Sequence, residues 1–204
     1  MTKPLRGKTP IIAIAGWKKS GKTTLTSRLV AEFTQRGLRI AAVKHAHEAF
    51  QIDDGETDSA RHRRAGAAQV AVVSKRRWAI ISELDDQTPE PDFETVIEAL
   101  QPADLIIVEG YKTAPVLKIE ARRAASLTRR PLSVDDPLVI AIAADHDGES
   151  IGADGQSLPR FGLDDIGPIA DFIAEAVFGT PVSDDHGFDG EPVTGGSVEM
   201  GRDG

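Results

Sequence analysis

The chain has 204 residues, of which 40% are hydrophobic and 27% charged, with a formal net charge of −8 and no cysteine. Its apolar runs fall short of the roughly 20 residues that cross a bilayer, and its acidic balance argues against a nucleic-acid partner. The lack of cysteine excludes disulfides, thiolate metal sites and cysteine nucleophiles.

Residues 1–9 form a basic extension, with Lys3, Arg6 and Lys8 ahead of the first apolar run. Ala13-Ile14-Ala15 looks like a signal-peptidase site. The run is nevertheless shorter than the roughly 7 to 15 residues of a secretory segment. A soluble, cytoplasmic protein is therefore expected. Ile11–Ala15 is β-branched and apolar and reads as a buried strand. A glycine-bounded loop follows, then a helix over residues 22–36 with Leu25, Leu29, Val30 and Phe33 on one face and Gly37 placed to end it. Residues 40–43 give the next strand, so strand, loop, helix and strand make a parallel βαβ unit with a right-handed crossover.

Thr57 or Asp58 is expected to cap a short helix through Ala65, ended at Gly66. Strands at Gln69–Val73 and Trp78–Ser82 flank the basic turn Lys75-Arg76-Arg77. Residues 85–91 are an acidic, proline-rich loop, and Phe93, Val96, Ile97 and Leu100 trace a helix face before a strand at 105–108. Residues 113–137 read as irregular and basic. Residues 138–143 make the last clear strand, 145–162 a loop, and a helix opened by Asp164 or Asp165 runs to about Phe178. Residues 10–179 form one domain, and residues 180–204, rich in glycine and acids with almost no apolar periodicity, are expected to be a disordered tail.

The segment Gly16-Trp17-Lys18-Lys19-Ser20-Gly21-Lys22-Thr23 matches G-x-x-x-x-G-K-[ST] in full. Its glycines let successive backbone N–H groups turn inward around a phosphate. Lys22 reaches the β- and γ-phosphates, the Thr23 hydroxyl ligates magnesium, and the helix that starts there points its positive end at the anion. Residues 16 to 23, with Thr24 beside them, are the expected cradle. The motif lies between a buried strand and an amphipathic helix, which gives an α/β fold: a P-loop NTPase-like, mostly parallel sheet flanked by helices. The acid partner belongs at the carboxyl end of a parallel strand. Glu109 ends the 105–108 strand and is the expected magnesium or water-orienting carboxylate, whereas Asp104 begins it. Lys22 and Glu109 are the expected catalytic pair.

Val43-Lys44-His45-Ala46-His47 leaves the second strand toward the same crevice, and Asp53, Asp54, Asp58, Ser59, Arg61, Arg63 and Arg64 follow. Two histidines on one loop could hold zinc, or the stretch could be a solvated loop. Its position favours a switch-like segment that closes on magnesium and phosphate.

Gly16 to Thr24, Val43-Lys44-His45-Ala46-His47, residues 58–67 (Asp-Ser-Ala-Arg-His-Arg-Arg-Ala-Gly-Ala), Val108-Glu109-Gly110-Tyr111-Lys112 and Lys118-Ile119-Glu120 occur in that order. Together they resemble the molybdopterin-guanine dinucleotide biosynthesis protein B family, MobB, over about residues 10–145. The resemblance implies a dimeric, magnesium-dependent GTP-binding adapter, at most a slow GTPase. Such an adapter assists a partner guanylyltransferase, MobA, in joining GMP to molybdopterin. Carried over by motif, Gly21, Lys22 and Thr23 hold phosphate and metal, and Glu109 is the Walker B acid. Lys44, His45, His47, Asp53, Asp58 and Arg61 belong to the loop facing nucleotide or pterin. Thr23, Glu109 and Asp53 are then the metal residues.

The chain departs from the family pattern at Glu48, where a further histidine is common, and at Ala49 and Gln51, where acids are common. Some relatives in the wider P-loop class carry a lysine right after the first loop glycine that reaches a neighbouring subunit's nucleotide; Trp17 stands there in this chain. Base specificity has no Asn-Lys-x-Asp to carry it, leaving Asp145 or Asp147 as acceptors for guanine, or an acidic surface loop. The competing reading is a small-molecule kinase using ATP, with residues 122–130 as an arginine-rich lid, although no segment supplies an obvious base for an acceptor hydroxyl.

Overall fold

The computed structural model describes residues 9–46, 50, 52–53, 55–85, 87–126 and 130–179. The expected extension, apart from Thr9, and the expected tail lie outside them. Six parallel strands form one sheet in the order β2-β5-β1-β6-β7-β8, from β1 (Ile11–Ala15), β2 (Ile40–Lys44), β5 (Leu105–Glu109), β6 (Lys118–Arg122), β7 (Val139–Ala144) and β8 (Arg160–Gly162). This is the expected mostly parallel sheet flanked by helices.

Alternation along the strands divides the core. Ile12, Ile14, Leu105, Ile107 and Ile119 pack on the helices α1 (Lys22–Gln35) and α4 (Ile166–Phe178) through Leu25, Leu29, Phe33, Ile169 and Ile173. Ala13, Val43, Ile106 and Val108 face the other way, against Phe93, Val96 and Ile97 of α3 (Phe93–Glu98). Both faces are covered, so β1 and β5 read as unbroken apolar runs. Helix α1 ends one residue earlier than expected. Arg36 is its cap, and Gly37 at φ +85° lets Leu38 N–H donate to the Phe33 carbonyl and Gly37 N–H to that of Thr34. Thr57, rather than Asp58, caps α2 (Asp58–Arg64), its hydroxyl accepting from Ala60 N–H at 3.1 Å.

Two strands differ from expectation. β6 lies inside the segment read as irregular, because its sequence Lys-Ile-Glu-Ala-Arg places charges where a buried strand usually has none. Lys118 and Glu120 are each 1% exposed. Lys118 Nζ donates to the carbonyls of Ala114 (2.7 Å) and Val116 (3.1 Å) and pairs with Asp136 at 3.0 Å. Glu120 accepts from the N–H groups of Leu132 (2.9 Å) and Ser133 (3.0 Å) and from Arg122 (2.8 Å). Complete pairing is what permits charge in a core. β8 is a three-residue strand within the expected 145–162 loop, too short to carry a periodic signal.

The hairpin β3 (Gln69–Val73) and β4 (Trp78–Ser82) pairs antiparallel and stands apart from the main sheet. Val72, Val73, Trp78 and Ile80 are exposed on it.

Candidate functional site

The carboxyl ends of β1, β2, β5, β6 and β7 meet on one edge of the sheet, where ligands of open α/β folds bind. From β1 the chain enters the glycine-bounded loop. Gly16 runs at φ +147°, and a Cβ there would sit 2.5 Å from both the Ala121 carbonyl oxygen and Ser20 Oγ, so only glycine fits. Lys19 (φ 66°) and Gly21 (φ +90°) take left-handed conformations that curl the backbone. Gly21 caps α1 without a side chain, which leaves the first N–H groups of the helix to an external partner. A cleft of about 450 Å³ opens over Lys19 to Thr24, with Arg123 and Ala125 on its far wall.

Lys22 and Thr23 enter this cleft from the first turn of α1. Thr23 Oγ1 donates to Glu109 Oε1 at 2.5 Å, and Lys44 Nζ, from the end of β2, stands 3.5 Å from the same oxygen. Lys22 Nζ donates to the Trp17 carbonyl at 2.8 Å. Burial holds the Lys22 ammonium below the usual lysine range. Glu109 opposes that shift, while Lys112 and Lys44 add to it. Lys22 therefore sits among one carboxylate and two further ammonium groups, an arrangement that an anion would relieve. Asp104, the rejected acid, lies at the start of β5 and accepts from Arg39 N–H at 2.7 Å.

The second loop divides. His45 extends the β2–β5 ladder through its N–H to the Glu109 carbonyl (3.0 Å), and its ring stacks on Tyr111 (4.3 Å between centroids, 29°) with Nε2 2.8 Å from Glu90 Oε1. His47 lies outside the described residues. Asp53, at φ 57°, accepts from the Thr57 hydroxyl at 2.7 Å, and its carbonyl accepts from Arg63 at 2.7 Å. Hydrogen bonds from Ser59 and Thr57 hold its carboxyl below the usual range. Among the described residues no hydrogen bond or ion pair joins Asp53 to Thr23 or Glu109. Asp58 and Arg61 pair loosely at 3.8 Å on the exposed face of α2. Arg63 ties α2 to Glu83 at 2.6 Å. No group of three or more metal-ligating side chains occurs among the described residues, which do not include His47 of the two-histidine zinc reading.

Two cationic side chains belong to the site although neither is among the expected site residues, one of them, Arg123, lying in the segment that the kinase reading takes as a lid. Arg123 follows β6 directly and stands 3.1 Å from where a Cβ on Gly21 would lie. Its Nε is 3.9 Å from Asp145 Oδ2. Asp145 also accepts from Ala124 N–H at 2.8 Å, the main cause of its lowered pKa. Its carboxylate thus serves the loop after β6. Asp147 lines the adjoining cleft of about 610 Å³ at the ends of β7 and β8, with His146, Arg160 and Phe161. The second cation, Lys112, rests 3.9 Å from the centroid of the Trp17 ring. Adjacency to a strand end was the available signal for both.

For a magnesium ion the fit is good: a hydroxyl and a nearly buried carboxylate (8% exposed) already touch at the mouth of the cradle. The cradle itself, with N–H groups uncapped and a half-buried ammonium, suits a polyphosphate.

Residues 11–145 match the profile of the family described as molybdopterin guanine dinucleotide synthesis protein B. The Escherichia coli (strain K12) molybdopterin-guanine dinucleotide biosynthesis adapter protein is 35% identical over 175 residues, covering 84% of this chain and 96% of that one. The Haemophilus influenzae adapter protein is 36% identical over 140 residues, covering 67% and 75%. Among solved structures, Bacillus subtilis MobB superposes with a TM-score of 0.61 at 23% identity, over 82% of this chain and 98% of that one. Among the described residues no helix is long and apolar enough to cross a membrane.

Proposed function

This chain belongs to the molybdopterin guanine dinucleotide synthesis protein B (MobB) family, and from that premise we propose that it is a magnesium-dependent GTP-binding adapter that assists attachment of GMP to molybdopterin. The observation that carries the reading is the convergence of Lys22, Thr23 and Glu109 beneath an uncapped helix start. The residues 16 to 24 bind the phosphates, with Lys22 on the β- and γ-phosphates. Thr23 and Glu109 hold magnesium, which when bound neutralises phosphate charge. Asp53 is a further oxygen donor, kept ionised on the segment before α2. Lys44, His45, His47, Asp58 and Arg61 belong to the face that meets nucleotide or pterin. As the family resemblance implies, GTP hydrolysis is slow at most.

The adapter is proposed to act in the cytoplasm as a homodimer, with a guanylyltransferase of the MobA type as its partner. Support for the second copy comes from β3–β4. An isolated two-stranded hairpin is marginal in water, and this one leaves Val73 76% and Trp78 56% exposed.

Calorimetric titration of the purified protein with GTP and ATP, each with magnesium, and with molybdopterin tests the reading. Preferential GTP binding that strengthens association with the guanylyltransferase supports it. Tight ATP binding with phosphoryl transfer to a small metabolite would replace it with a kinase.

A further inference from the structure

Trp17 stands directly after the first loop glycine, and its position is fixed at two points. The indole Nε1–H donates to the Arg130 carbonyl at 3.0 Å, and the backbone carbonyl of the same residue receives Lys22 Nζ at 2.8 Å. Lys112 reaches the face of this ring from the other side of the site. It is carried there from the end of β5 by two consecutive left-handed residues, Gly110 at φ +93° and Tyr111 at φ 45°. A left-handed tyrosine is strained, and such strain persists only where the surroundings enforce it. Here they do: the Tyr111 ring stacks on His45 at 4.3 Å and meets Phe93 edge-on at 5.2 Å.

Lys22 and Lys112 therefore converge on one residue, the first at its backbone and the second at its ring. The ring quadrupole holds an ammonium in place without neutralising it, so the Lys112 charge remains available to an anion. The two ammonium groups also lie close enough for Lys112 to add to the lowered proton affinity of Lys22, whose main cause is burial.

We propose that Lys112, seated on Trp17, is a cation for the γ-phosphate of the bound triphosphate, and that Trp17 is the residue that positions it. The charge that some P-loop proteins bring from a neighbouring subunit is thus supplied within this chain. The proposal rests on the GTP-binding reading.

Magnesium-dependent affinities for GTP and GDP, measured by calorimetry on the full chain, test it through their ratio. Lys112→Met should weaken GTP binding by about 10- to 100-fold, the loss of one charge-assisted contact, and GDP binding by less than about twofold. Lys112→Arg should restore most of the difference. Trp17→Ala should reproduce the selective loss, whereas Trp17→Phe, which keeps an aromatic face but not the bond to Arg130, should not. A role confined to folding would lower both affinities together. With Trp78→Phe as background, leaving Trp17 as the lone indole, GTP should change the emission more than GDP does. Equal losses for both nucleotides, or an unchanged ratio in Lys112→Met, overturns the proposal while leaving GTP binding intact. A wild-type chain that binds neither nucleotide overturns the GTP reading itself, and this proposal with it.

Discussion

Replacing Lys22 with alanine separates binding from folding. In the free protein the Lys22 ammonium makes one hydrogen bond, to the Trp17 carbonyl at 2.8 Å, with a net worth of roughly 1 kcal/mol. Against it stand burial and the nearness of Lys112 and Lys44, which disfavour the charge. These contributions oppose one another, so stability should move by less than about 1 kcal/mol, or roughly 2 to 4 °C in Tm for a domain of this size. Toward a triphosphate the same group would make charge-assisted bonds of about 1.5 to 3 kcal/mol each. Losing even one weakens affinity by roughly 10- to 150-fold. Calorimetric titration with GTP and magnesium, beside thermal melts, reads both quantities. A variant that retains wild-type affinity would falsify the placement of the phosphates, and one that melts more than about 10 °C lower would show Lys22 to be structural.

Four further outcomes are expected. Because the Lys22 pKa is lowered in the free protein and bound phosphate must raise it, binding takes up a proton in the window between those two values. GTP affinity should then fall as pH rises through that window below the ordinary lysine value of 10.5, a trend absent from Lys22→Met; affinity flat with pH in wild type would contradict it. Glu109→Gln keeps the bond to Thr23 but removes the charge, and should cut the magnesium dependence of GTP binding by about 10- to 100-fold, read by titrating metal at fixed nucleotide. Glu120→Ala removes the carboxylate from Arg122 and from the N–H groups of Leu132 and Ser133, and should cost about 3 to 5 kcal/mol in urea unfolding. Ile80→Lys on the exposed hairpin should shift the mass in light scattering from dimer to monomer without lowering GTP affinity, and an unchanged mass would remove the hairpin from the interface.

Where a local rule and the global fold agree, the sequence was readable. Ile11–Ala15, the glycine loop and α1 form a unit whose apolar runs, glycine conformations and caps all point the same way, and their bounds hold to within a residue. Glu109 could be chosen over Asp104 because strand polarity alone decides which end faces a ligand. β6 escaped because its buried Lys118 and Glu120 are matched by Asp136, Leu132 and Ser133, partners scattered over later residues that no periodicity links to them. Arg123 and Lys112 escaped for a related reason: each is aimed by backbone conformation and by a contact distant in the chain, the first with Asp145 and the second with Trp17. Asp53, a metal residue by resemblance, lies just before α2, where the Thr57 hydroxyl donates to its carboxylate and the Arg63 guanidinium to its backbone carbonyl, contacts that no spacing in the sequence displays.

β2 and β5 lie side by side in the sheet, with Lys44 opposite Glu109, although residues 45–104 separate them in the chain. Everything between is an excursion that leaves the sheet at one strand and returns at its immediate neighbour, carrying α2, the apolar hairpin and α3 with it. Such an arrangement works like a cartridge. The excursion can be exchanged or retuned while the strands that set the phosphate loop keep their register. Related proteins could thus diverge in whom they associate with and still share one way of gripping a nucleotide, and a chimera carrying a relative's residues 45–104 should inherit that relative's associations with its own loop intact.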